Sequence, residues 1–137
     1  MPIYLLDSNA VSEIMRNPHG PVALIYRSRE FDPNVRLCTS IVSASELRYG
    51  AAKKRSALLS QRVDRMLSSL EVVPLAPGAD TEYATLRADL ERKGQPIGPN
   101  DMLIAAHALA LDAILVTDNV REFKRVKGLK IENWLRP

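Results

Sequence analysis

The 137-residue chain has a single cysteine, Cys38, which excludes an internal disulfide and any cage of thiolates around a metal. Only two histidines are present, His19 and His107, so a metal centre built on imidazole has little to draw on. Any metal must therefore be held by oxygen. Aromatic residues make up 5% of the chain, too few for a platform on which several bases stack, so a nucleic acid would be gripped mainly through its phosphates. No apolar run approaches the ~18 residues of a membrane span. The first residues lack a basic stretch followed by an apolar one, the mark of a secretory leader. The expectation is a cytoplasmic protein with no membrane partner.

What is present suits one compact domain, residues 1–137. Hydrophobic residues account for 46% and charged residues for 26%, the balance of a globular chain long enough to bury a core. The net charge of +3 and the isoelectric point near 9.2 permit a polyanionic partner without requiring one. Cys38 lies in the apolar run "RLCTSI" and reads as a small buried hydrophobe.

Short apolar runs alternate with helical stretches. "IYLL" reads as a first buried strand, followed by a helix from about Ser8 to Arg16 that stops at the loop "NPHGP". "PVALIYRSREF" suits a short helix with Pro21 at its start, and "VRLCTSI" a second strand. "VSASELRYGAAKK" and "SALLSQRVDRMLSSL" read as helices, the latter with an apolar stripe of Leu58, Leu59, Val63, Met66, Leu67 and Leu70. A strand "EVVPL" precedes a helix "ADTEYATLRADLERKG", acidic at its start, basic at its end and closed by Gly94. "PNDMLIAAHALAL" is almost entirely apolar and should be a buried helix. "AILVT", a helical turn "NVREFKRV" and "LKIENW" complete the chain. Strands of this kind between helices imply an α/β/α sandwich with a central, mostly parallel sheet.

In such a sheet ligands bind beyond the carboxyl ends of the strands. Asp7 directly follows "IYLL" and Asp118 directly follows "AILVT". Glu46 falls early in the helix after the second strand, and Asp101 at the start of the apolar helix, on the face it shares with Ile104, Ala105 and Ala108. Each acid has an ordinary explanation. Asp7 can cap a helix, Asp101 can favour a helix dipole, and Glu46 can be an exposed helix glutamate. Their common placement suggests the other reading, in which converging carboxylates repel until a cation joins them. Hard oxygen ligands select Mg²⁺, with Mn²⁺ able to substitute. Such a site can hydrolyse a phosphodiester. Ser8, Asn9, Thr117 and Asn119 are small polar neighbours that either form caps and turns or orient the acids. Arg121 and Lys124, in "DNVREFKR", either bind phosphate or are simply solvated. His107 lies about 240° round its helix from Asp101 and reads as a packing or surface residue. His19 has no assigned role.

The segments "LLDSN", "SASELRYG", "IGPNDMLIAAHALAL" and "LVTDNVREFKRV" resemble, in order, the four acidic blocks of PIN-domain ribonucleases, and are most similar to the VapC toxins of bacterial type II toxin–antitoxin modules. The resemblance runs from Ile3 to Trp134. It implies a PIN-domain fold, with Asp7, Glu46, Asp101 and Asp118 as the metal-binding and catalytic acids. Ser8 stands where the family usually has Thr, keeping the hydroxyl, and Asp118 occupies the most variable acidic position. The resemblance further implies a Mg²⁺- or Mn²⁺-dependent endoribonuclease acting on RNA such as tRNA, including initiator tRNA. It implies a homodimer, inhibition by a VapB-type antitoxin in a larger assembly, and contact with operator DNA only through that antitoxin. Two other readings stand beside it. One is a catalytically weak module that regulates RNA or its own operon through a partner. The other is a phosphoacceptor domain with Asp7 as nucleophile, although Asn9 occupies the place of the second acid in an Asp-x-Asp pair.

Overall fold

The computed structural model describes all 137 residues. Five strands form one sheet: β1 (Ile3–Leu6), β2 (Arg36–Ser40), β3 (Glu71–Val73), β4 (Ile114–Val116) and β5 (Lys130–Glu132). Their order is β3-β2-β1-β4-β5 and every pairing is parallel. Seven helices connect them: α1 (Ser8–Arg16), α2 (Pro21–Arg29), α3 (Ile41–Lys54), α4 (Ala57–Ser69), α5 (Ala79–Arg92), α6 (Pro99–Leu111) and α7 (Val120–Phe123). No helix is long and apolar enough to cross a membrane.

The topology explains why both faces are covered. The chain first steps outward from β1 through β2 to β3, then returns to the other side of β1 for β4 and β5. Crossovers between parallel strands are right-handed, so reversing the direction of travel moves the connecting helices to the opposite face. In β1 successive side chains alternate between the faces. Tyr4 and Leu6 join a core with Val11, Val22, Leu47 and Leu67, from α1 to α4, while Leu5 joins one with Leu86, Ile104 and Phe123, from α5 to α7. Burial on both faces is why "IYLL" shows no polar alternation. Each fully buried Leu contributes on the order of 1.5–3 kcal/mol.

The helix boundaries follow local chemistry. Pro21 and Pro99 open α2 and α6, where a missing N–H is harmless. Ser56 accepts from the N–H of Leu59 to cap α4. Gly94, at φ +63°, turns the chain away after α5, where a side chain would be strained. Cys38 is buried, as its apolar setting predicts. The apolar stripe of α4 packs through Val63, Leu67 and Leu70, with Leu59 and Met66 partly buried against the same core, whereas Leu58 is 64% exposed. At 100° per residue Leu58 lies about 140° round the helix from Val63, off that face.

Candidate acidic site at the carboxyl edge of the sheet

The direction of chain travel reverses between β1 and β4, and the crevice at such a point is where open parallel sheets hold ligands. Leu6 is in register with Val116, so the residues that follow leave the sheet side by side. The N–H of Asp7 donates to the Val116 carbonyl at 3.1 Å, anchoring the end of β1 against β4. On the other side the Thr39 hydroxyl donates to the Leu6 carbonyl at 2.7 Å.

In the structure Asp7 is a helix cap and also stands among other acids. It is the N-cap of α1, with Oδ1 accepting from the Ala10 N–H at 2.8 Å. It is also buried, with 4% exposure. Burial pushes its carboxyl up to about 6. Hydrogen bonds from the Thr117 hydroxyl and the Ala10 N–H pull it down in part, and the charges of Glu46 and Asp118 push it up further. A cap alone does not require neighbouring acids.

Glu46 projects from the second turn of α3, and its Oε1 accepts from the Ser8 hydroxyl at 3.3 Å, so Ser8 bridges the first two acids. Asp101 stands half-buried in the first turn of α6. Burial raises its carboxyl to about 6, helped by the charges of Glu46, Glu122 and Asp7 and by a hydrogen bond shared with Glu122. The four predicted acids thus meet at one edge, close enough for their charges to interact.

Asp118 differs from the other three. Its Oδ1 accepts from Asn133 Nδ2 at 3.0 Å and from Arg136 Nε at 3.2 Å, so it faces the C-terminal segment. No three acidic, histidine or cysteine side chains already enclose a position for an ion. The donors are nevertheless all oxygen, which suits Mg²⁺ or Mn²⁺, and their mutual repulsion is what a divalent cation relieves. Thr117 Oγ1 accepts from the Asn119 N–H at 2.9 Å and stands beside Asp7, fixing the turn that presents Asp118. Asn9 is exposed at the rim.

Glu122 is the site residue that sequence reasoning missed. It lies in α7, where Asn119 Nδ2 donates to its Oε2 at 3.1 Å, and it faces Asp101. Two signals could have revealed it: it falls one helical turn after Asp118, and it is the only acid in "NVREFKR". The pattern Asn-x-x-Glu has an ordinary explanation as a capping box, which conceals it. His107 is fully buried, with Nδ1 2.8 Å from the Ser40 hydroxyl, and burial pushes its pKa down. It packs α6 against the end of β2, in keeping with the packing role expected of it.

Basic groups flank the acids. Arg16, Lys54 and Arg62 line a cleft of about 320 Å³ that also takes in Ser8, Asn9 and Glu46. On the far side of α7, Arg121 and Lys124 are exposed in a separate hollow.

Comparison with known proteins gives a consistent picture. Residues 4–129 match the family described as PIN domain. The chain is 39% identical to Ribonuclease VapC2 of Rickettsia felis, over 96% of this chain and 98% of that one. It is 37% identical to the tRNA(fMet)-specific endonuclease VapC of Salmonella typhimurium, over 96% and 97%. Its fold superposes on the crystal structure of VapBC2 from Rickettsia felis bound to a DNA fragment from their promoter, with a TM-score of 0.89, 35% identity, and 96% and 98% of the two chains covered.

Proposed function

The chain belongs to the PIN-domain family and is homologous to the VapC toxins of VapBC toxin–antitoxin systems, and from that premise we propose that it is a metal-dependent endoribonuclease whose acids Asp7, Glu46, Asp101 and Asp118 carry the chemistry. One observation carries the reading. A buried carboxylate stands at the point where the sheet reverses with two further acids beside it, and their charges add to burial in raising its pKa. A purely structural cap gains nothing from such neighbours.

Asp7, Glu46 and Asp101 would hold a Mg²⁺ or Mn²⁺ ion, with Asp118 joining if it turns from Arg136. When bound, the ion supplies charge neutralisation and Lewis acidity at the scissile phosphate. Ser8 keeps the Glu46 carboxylate oriented. Thr117 does the same for Asp7. Glu122 faces Asp101 and steadies its carboxyl through a shared hydrogen bond.

The substrate is RNA, and tRNA, including initiator tRNA, is supported by the relative named for that specificity. A VapB-type antitoxin neutralises the enzyme in a larger assembly of toxin homodimers, and operator DNA is reached only through that antitoxin. The solved VapBC2 complex bound to promoter DNA supports this part. A second reading, a catalytically weak module acting through its partner, draws support from the engagement of Asp118 by Asn133 and Arg136. Incubating tRNA with the purified chain separates them. Cleavage in Mg²⁺ that stops in EDTA is the expected result, and intact tRNA under both conditions would leave the weak module standing. Expression of the chain alone should arrest growth, and co-expression of its antitoxin should relieve the arrest.

A further inference from the structure

The hollow beyond α7 is lined by Gln95, Arg121, Lys124 and Arg125, a basin of about 430 Å³ without an apolar residue. No carboxylate lines it, and none of its three cations takes part in an ion pair, whereas nine other Lys and Arg residues do.

Both walls of the basin are joined along the chain to residues of the acidic site. Arg121 adjoins Glu122, which faces Asp101, while Gln95 and Pro96 begin the segment that runs through Gly98 into Asp101. Arg125 Nη1 donates to the Pro96 carbonyl at 3.1 Å, fastening one wall to the other. The basin is thus tied to the acids through Glu122 and the segment leading to Asp101, from the other side of α7.

We propose that this basin holds the backbone phosphates of the RNA strand next to the scissile bond, with Arg121 and Lys124 as phosphate contacts, Gln95 hydrogen-bonding the backbone, and Arg125 bracing the walls. The inference rests on the ribonuclease reading above. It assigns a binding role, with no part in the chemical step. A phosphate track without aromatic lining is indifferent to base identity, so it sets the path of the strand and leaves sequence choice to other parts of the surface.

The test uses the full chain with Arg121→Ala and Lys124→Ala combined, beside Arg121→Lys with Lys124→Arg, which keeps both charges. Binding of poly(U) is measured in EDTA, so that it is read apart from cleavage. The alanine pair should weaken binding roughly tenfold or more at low salt and make the slope of log affinity against log salt shallower by about 1.4, two contacts at ~0.7 each for a single strand. The charge-keeping pair should restore most of both. In tRNA cleavage the loss should fall on KM rather than kcat. Unchanged affinity and slope in the folded alanine pair would overturn the proposal. So would a fall in kcat alone, which would mean that the basin merely positions Glu122. Weakened binding of the antitoxin with RNA affinity intact would also overturn it, in favour of a protein contact. If the wild-type chain binds poly(U) through the basin but never cuts tRNA, the ribonuclease reading fails instead.

Discussion

Asp7 uses one carboxylate for two purposes, and its energetics separate them. Its folded pKa, about 6, lies above the ordinary 3.8, so the folded protein prefers the protonated acid. In the metal-free chain this group costs stability above pH 6, on the order of 3 kcal/mol at neutrality. The penalty shrinks as pH falls from 6 towards 3.8 and is absent below both values. Asp7→Asn keeps a side chain that caps helices well and removes the buried charge. Without metal it should therefore melt higher than wild type at pH 7.5, with the gap closing near pH 4, as thermal melts across that range would read. The same variant should lose RNA cleavage by at least ~10²-fold, as should Asp101→Asn. A folded variant with full activity would remove that acid from the site. At this scale the sequence was legible where the chain placed an acid directly after a buried strand. It was opaque at Glu122, because local capping and participation in a distant cluster have the same residue pattern.

The short helix α7 and the segment after β5 set how the acids are presented. Glu122 raises the Asp101 pKa by charge and by a shared hydrogen bond, so Glu122→Gln should lower it. The acid limb of the pH–rate profile should then shift to lower pH, which rates between pH 5 and 8 would reveal. Beyond β5, Trp134 packs against Tyr4 with ring centroids 5.5 Å apart, and the Arg29 guanidinium lies 4.8 Å from the Tyr4 ring and 5.1 Å from that of Trp134. Trp134 is buried, and this packing fixes the stretch that carries Asn133 and Arg136 to Asp118. Trp134→Ala should cost about 3–5 kcal/mol of stability in denaturant titrations. Arg136→Ala breaks only an exposed pair, worth at most about 1 kcal/mol. It also removes the cation from Asp118, leaving only Asn133 on that carboxylate, and should tighten Mg²⁺ binding in calorimetry. The grip on Asp118 could not be read beforehand, because it depends on where the segment after β5 packs, which no local pattern records. The exposure of Leu58 could have been, since helical spacing already sets it off the face of Val63 and Leu67.

For the whole molecule, the alternation of apolar strands with helices was enough to reach a parallel sandwich, because a strand buried on both faces must be apolar throughout. Strand order was not accessible that way. It depends on the side of β1 to which the chain returns, and no local pattern records that return. A metal-stripped preparation should melt higher on adding Mg²⁺ or Mn²⁺, since an ion that binds only the folded state stabilises it by mass action. Ca²⁺ should support cleavage only weakly, its longer and looser coordination misplacing the reacting groups. The position of β1 in the middle of the sheet has one more consequence, for the order of events during synthesis. The first strand to emerge from the ribosome needs a neighbour on each side, and the second of these, β4, begins only at Ile114. Until more than four-fifths of the chain has been made, Asp7 has no Val116 carbonyl to anchor it, and Asp118 and Glu122 do not yet exist. Pairing over so long a separation is also slow, because the loop must close before its contacts form. A protein folded in this order cannot assemble its acidic edge until β4 and α7 have followed β1 out of the ribosome.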